Sequence, residues 1–358
     1  MIPDSQAAVI DAIARTAEAW GEEDAPSRAT AVQKTLEAPN RFTEEGLTHA
    51  LNHQMGRLTR EVLQIWLDDA WTDEARPVGV LSAGEVPLDG LRDLLAVWGT
   101  GHVPLVTTSE ASPHLLPAFA HAATQHEPSL DIEFVEEGAL FQRAEALLAQ
   151  PPSDTLDAVH DQCEAHGIPP ANRHIRPPVF SVGILDGQES EEEREDLAAD
   201  MLLYEGMGRP RLALLWAPEG LSPDPYLEAM AQFRGAVPAH PDTPGALQMQ
   251  QAFLEAKDVS HAYAVGLQFL VSRADPDVQP PGHIRWTEYA DLDDALDWIQ
   301  DHPERLYSIV AREGLHDRLP PVAPVLGPGQ VHGAPLDDEE GERTLRFLRR
   351  LSETGGRP

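Results

Sequence analysis

Apolar residues recur at helical spacing in the first part of the chain. Val9, Ile10, Ile13, Ala17 and Trp20 mark one amphipathic helix, and Leu47, Leu51, Met55 and Leu58 mark another. Pro39-Asn40-Arg41 breaks the pattern between them, and Thr43 with Glu45 close behind it opens the second run. From residue 77 the pattern changes. Short apolar runs at 78–83, 102–106, 132–135, 177–187, 211–217, 283–289 and 307–311 read as strands. Between them lie helical patterns at about 89–98, 115–122, 141–149, 153–166, 189–204, 225–233 and 291–299, with a last helix at 342–351. Residues 318–336, rich in Pro and Gly and without periodicity, read as a loop. Strands alternating with helices predict a parallel sheet with helical crossovers, the doubly wound α/β architecture.

With 358 residues the chain exceeds what one hydrophobic core usually serves, so two domains are expected. No run approaches the roughly 18 apolar residues of a membrane span. The first twenty residues lack a basic region and a continuous apolar core, so they do not read as a secretory signal. A cytoplasmic protein is the expectation.

Charge narrows the partners. Sixty acidic residues against 26 basic ones give a net charge of −34. Such a field repels nucleic acid and anionic lipid, both of which need cationic contacts to phosphate. The acids are spread along the chain, as befits a solvated surface in a salt-rich medium, where screening removes self-repulsion. Only Lys34 and Lys257 are lysines; every other cation is arginine. Arg173, His174 and Arg176, and the pair Arg209 and Arg211, are local cationic concentrations. They suit either an anion or pairing with neighbouring carboxylates.

The single cysteine, Cys163, excludes an internal disulfide framework and a multi-cysteine zinc site. It lies on a helical pattern with His160 and His166 three residues to either side, so both an activated thiol and a small buried core residue fit it. His49 and His53 have the i, i+4 spacing of a helical metal pair, but Ala50 follows the first and no third ligand is evident. No metal site is expected.

Several segments, in order, resemble the LuxC-type acyl-CoA reductases of the aldehyde dehydrogenase superfamily. They are residues 42–51; 83–102, with Ala83-Gly84-Glu85-Val86-Pro87-Leu88 and the stop Gly101-His102; 203–209; 286–296; 328–336; and 344–348. The resemblance implies an aldehyde-dehydrogenase-like α/β fold, a Rossmann-type nucleotide-binding domain plus an α/β catalytic domain. The corresponding division is an N-terminal helical segment at 1–60, a nucleotide-binding domain at 61–178 to which about 325–358 return, and a catalytic-like domain at 179–324. By the same resemblance the substrate is a fatty acyl-CoA, the cofactor NADPH, and the assembly a homo-oligomer or a complex with a partner subunit.

The residues that would carry that reaction are altered. Family members place a nucleophilic cysteine after a Gly-x-Gly step. Here Gly206-Met207-Gly208 is followed by Arg209. A guanidinium has no usable lone pair and does not deprotonate in proteins, so it cannot attack a thioester. The family's oxyanion-binding asparagine corresponds to Glu85, an acceptor-only group when ionised. A solvated turn residue and a proton-transfer group are both compatible with it. A cofactor-contacting lysine at the end of the second strand corresponds to Thr107. The glycine-rich phosphate loop corresponds to Gln150-Pro151-Pro152-Ser153-Asp154, in which prolines remove N–H donors and Asp154 adds negative charge. Ser153 or Asp154 would still cap the following helix. These departures imply a degenerate reductase, or a non-catalytic homologue that binds acyl-CoA, a nucleotide or a partner subunit.

Overall fold

A computed structural model describes residues 3–208, 210–333 and 335–353. The chain divides into two compact units. Unit 1 comprises Met1–Asn40, Leu47–Pro178 and Pro335–Pro358, and unit 2 comprises Arg41–Gly46 and Val179–Ala334.

Unit 1 is built on five parallel strands: β1 (Pro77–Leu81), β2 (Val103–Thr107), β3 (Glu133–Phe134), β4 (Ala146–Ala149) and β5 (Arg173–Ile175). Their order is β3-β2-β1-β4-β5, the doubly wound order, with its reversal between β1 and β4. Helices α1 (Asp4–Gly21), α2 (Pro26–Glu37), α3 (Glu44–Arg57) and α4 (Arg60–Trp66) precede the sheet in the chain. Trp20 of α1 meets Phe119 edge-on at 5.4 Å. Gln6 donates to the carbonyls of Leu67 and Gly99, which fixes α1 against this unit. Helices α5 (Leu91–Gly99), α6 (Leu115–His126), α7 (Glu137–Arg143) and α8 (Leu156–Ala165) connect the strands.

The expected helix at 141–149 is not found as such. Helix α7 ends at Arg143, and Ala146–Ala149 forms β4, the strand beside β1. All four residues of β4 are buried. A parallel strand covered on both faces shows a continuous apolar run, which periodicity cannot tell from a buried helix. Strand β5 is likewise not expected from the sequence, because its three residues are polar at two positions.

Unit 2 holds seven strands: β6 (Phe180–Ile184), β7 (Leu212–Pro218), β8 (His261–Tyr263), β9 (Leu270–Arg273), β10 (His283–Tyr289), β11 (Leu306–Val310) and β12 (Val325–Leu326). Their order is β12-β11-β6-β7-β10-β9-β8, parallel except for β8 against β9. Helices α9 (Glu191–Leu202), α10 (Asp224–Ala236), α11 (Thr243–Ala256) and α12 (Leu292–Asp301) belong to this unit. Alternation along the strands divides its core between two faces. Leu215 and Trp286 pack with Leu197 and Met201 of α9 and Met230 of α10. Leu214 and Trp216 pack with Ala295 and Ile299 of α12. The segment read as loop contributes β12, which pairs Ile309 with Val325 and Val310 with Leu326. Two residues are too few to show a period. The last helix, α13 (Glu339–Glu353), belongs to unit 1.

Helix α13 is tied to its sheet by charge. The guanidinium of Arg176, just past β5, is buried, hydrogen-bonds both carboxylate oxygens of Asp93 on α5, and reaches Glu340 of α13 at 3.1 Å. These acids hold the Arg176 pKa above its ordinary value against the effect of burial. Arg176→Ala would leave Asp93 buried and uncompensated, at a cost of about 3–5 kcal/mol. Urea unfolding should show a large loss of stability for this variant and almost none for Arg15→Ala on the exposed face of α1.

Candidate active site

In unit 1 the register sets Leu81, Thr107 and Ala149 side by side at the carboxyl ends of β1, β2 and β4. Open α/β sheets bind ligands at these ends, where the strand order reverses. Three of the positions singled out in the sequence, Glu85, Thr107 and Ser153, lie on or just after these ends.

The turn after β1 is shaped by two residues. Gly84 has φ +73°, and a Cβ there would fall on the Ser109 side chain. Asp89 accepts the Gly84 N–H at 2.6 Å and the Ser82 hydroxyl at 3.3 Å, closing the turn. Burial pushes the Asp89 carboxyl above its ordinary value. Glu85 is exposed at the tip. Asp89 carries no signal in the sequence, where it reads as the first residue of the next helix; only folding brings its carboxylate back to Gly84.

Thr107 ends β2, is buried, and its hydroxyl lies 3.5 Å from the Val80 carbonyl. Ser153 and Asp154 are exposed in the turn before α8. Neither caps that helix. The N-cap is Thr155, whose side chain makes no capping bond and instead donates to the Pro152 carbonyl at 3.3 Å.

Cys163 is fully buried on α8 among Leu105, Leu140, Phe141 and Leu147. Burial pushes its thiol above the ordinary value, opposed by the charge of Arg173. The rings of His49 and His53 stack 6.2 Å apart, and burial lowers both pKa values. Among the described residues no group of three or more metal-binding side chains comes together.

In unit 2 the Gly-x-Gly step follows α9, whose start is fixed by a capping box between Ser190 and Glu193. After Leu202 the chain makes a strained turn. Tyr204, Glu205 and Gly206 have φ of 55°, 60° and 66°, three consecutive residues in the left-handed region. Such conformations cost of order 1–3 kcal/mol each for non-glycine residues and persist only where surroundings enforce them. The enforcing contacts are visible. Glu205 is buried and accepts from the Arg234 guanidinium at 3.1 Å and from the Thr243 hydroxyl. Gly206 lies so close to the backbone that a Cβ would stand 3.0 Å from the Gly282 nitrogen and 3.1 Å from the Met201 carbonyl oxygen. Arg211 donates to the Gly206 carbonyl at 3.3 Å and to the Gln279 carbonyl at 3.1 Å, so this guanidinium closes the turn. Arg209, which the resemblance sets in the place of a nucleophile, lies outside the described residues.

A buried carboxylate stands just before this turn. Asp200 accepts the N–H groups of Gly329 at 2.8 Å and Val331 at 3.2 Å, pinning the segment after β12 to α9. His332 from the same segment meets the Tyr204 ring edge-on at 5.2 Å. Burial pushes Asp200 up to about 7, partly offset by these two N–H donors.

No protein-family model and no curated protein matches the sequence. Solved structures do share the fold. A benzaldehyde dehydrogenase from Corynebacterium glutamicum is 11% identical, with a TM-score of 0.69, over 96% of this chain and 84% of that one. Proline utilization A from Bradyrhizobium japonicum is 13% identical, with a TM-score of 0.70, over 94% of this chain and 40% of that one. A bifunctional proline utilization A protein is 12% identical, with a TM-score of 0.68, over 91% of this chain and 39% of that one. The chain thus spans about two fifths of the proline utilization A proteins it matches. At these identities the likeness concerns the fold, and the fold is that of the aldehyde dehydrogenases, as expected from the sequence. No helix among the described residues is long and apolar enough to cross a membrane.

The Asp200 carboxyl gives a testable pH dependence. Its folded-state pKa of about 7 exceeds the ordinary 3.8, so between these values the folded state holds a proton that the unfolded state releases. Stability attributable to this group therefore falls as pH rises from about 4 to about 7, by at most about 1.4 kcal/mol per pH unit, and is constant above. Melting temperatures of wild type and Asp200→Asn, measured in parallel across pH 4–8, should shift in the variant's favour over that window. A difference independent of pH would contradict the assignment.

Proposed function

We propose that this chain is a degenerate member of the acyl-CoA reductase branch of the aldehyde dehydrogenase superfamily, which binds a fatty acyl-CoA without reducing it. The observation that carries this reading is the residue after the Gly-x-Gly step. Reduction of a thioester by the family route needs a thiolate that attacks the acyl carbon and expels CoA. Arg209 stands in that place, and a guanidinium does not form this bond. The chain's one thiol, Cys163, is fully buried and its pKa is raised by burial, the opposite of an activated nucleophile.

The groups that would hold NADPH also fit it poorly. The loop after β4 carries Pro151 and Pro152, where a diphosphate needs backbone N–H donors, and an exposed Asp154 adds charge of the wrong sign. Thr107 is buried and engaged at the end of β2, and it offers no cation to a ribose or phosphate. Glu85 at the turn after β1 would repel a developing oxyanion. What remains of the family's design is the fold, the glycine turn and the strain that holds it. A binding role, alone or beside a catalytic subunit, uses all three.

Incubation with NADPH and a long-chain acyl-CoA in concentrated KCl should leave nicotinamide absorbance unchanged, while acyl-CoA binds saturably by calorimetry. Arg209→Cys should then release CoA in a single burst, detected with a thiol reagent, because it restores the missing nucleophile after the Gly-x-Gly step. Steady reduction by the wild type, abolished by Cys163→Ala, would overturn the proposal.

A further inference from the structure

The second half of α13 and the start of β5 form a cationic hollow that the acyl-CoA reading does not use. Helix α13 runs antiparallel to β5. Glu340 meets Arg176 beyond the end of the strand, Thr344 and Phe347 meet His174 within it, and Arg350 reaches the Ala171 carbonyl before its start. His102, just before β2, contacts the Leu348 carbonyl at 3.1 Å, and Arg349 donates to the Asp68 carbonyl, ahead of β1. Arg343 to Arg350 therefore lie toward the amino ends of the strands, opposite the end that carries Glu85, Thr107 and Ser153.

There, Arg173, His174, Arg343, Arg346, Arg349 and Arg350 line a cavity of about 480 Å³, floored by Phe347. No carboxylate belongs to this lining among the described residues, although acids make up 60 of the chain's 358 residues. Glu339 pairs with Arg343 one turn away, and Glu164 lies 3.9 Å from Arg173; neither belongs to the lining. Further contacts orient the guanidinium groups. Arg173 donates to the Ile168 carbonyl at 2.8 Å, and the Arg350 guanidinium lies over the Phe347 ring at 5.9 Å. Five guanidinium groups line one hollow, and their planar forks match phosphate oxygens. The volume is that of a small-molecule site. The rest of the chain, at −34 overall, disfavours a long polyanion or a second acidic copy and leaves a compact one.

We infer that this hollow binds a small oligophosphate anion, at a site separate from the carboxyl-end site of the same sheet. Inorganic tripolyphosphate titrated into the full chain by calorimetry should give saturable one-site binding that weakens with rising KCl. The Arg346→Ala/Arg350→Ala double variant changes two exposed side chains and should melt like wild type while binding at least tenfold more weakly. Arg346→Glu, as a second variant, should do the same. ATP in place of tripolyphosphate separates sources: equal affinity assigns recognition to the phosphate chain, and tighter binding adds the nucleoside. The inference is overturned by absence of saturable binding, by unchanged affinity in both variants, or by equal heat from sulfate at matched ionic strength. Self-association in the ultracentrifuge that these substitutions abolish would overturn it in favour of a contact between copies. Binding of acyl-CoA is measured separately, so either result stands without the other.

Discussion

One buried guanidinium organises unit 1. Arg176 emerges from the edge strand β5 into a space closed by α5 and α13, where its charge is paired by Asp93 and Glu340 together. These three residues are far apart in sequence, yet each is costly to bury without the others. Their meeting fixes α13 along β5, and the direction of α13 in turn decides which end of the sheet receives its arginines. Had the last helix run the other way, the cations of Arg343 to Arg350 would face the carboxyl ends of the strands, where Asp154 and Glu85 are exposed.

Unit 2 applies the same principle to a turn. Three successive left-handed residues would not persist on local preference alone. The Glu205–Arg234 pair, the Thr243 hydroxyl and the approach of Gly206 to Gly282 together leave the backbone no alternative. The turn from Tyr204 to Gly206 is thus held by buried charge. In this chain the residue after the glycine step is Arg209, suited to hold an anion and unsuited to attack an acyl carbon.

Much of the fold is legible wherever a pattern has room to declare itself. Strand β10 lies at 283–289 as read, and α12, with its capping box at Asp291 and Asp294, lies within two residues of expectation. Elements too short or too uniformly apolar escape the pattern. Strand β4 resembles helix because both its faces are buried, while β5, β8, β9 and β12 have two to four residues and no measurable period. Helix α11 gives a weak signal because its apolar positions are interleaved with Gln and Gly.

The sequence by itself determined which chemistry is available: one thiol, an arginine after the glycine step, prolines at 151 and 152, and a large excess of carboxylate. These are properties of residue type and need no coordinates. Tertiary structure decided which of those groups are usable. It buried Cys163, exposed Glu85, turned Asp89 back onto Gly84, and separated the cluster at 173–176 into a buried structural arginine, Arg176, and an open cationic hollow beginning at Arg173. The reason is physical. Burial and charge pairing depend on neighbours brought in from distant parts of the chain: for Arg176 these are Asp93 on α5 and Glu340 on the last helix, and for the hollow at Arg173 the arginines of that same helix.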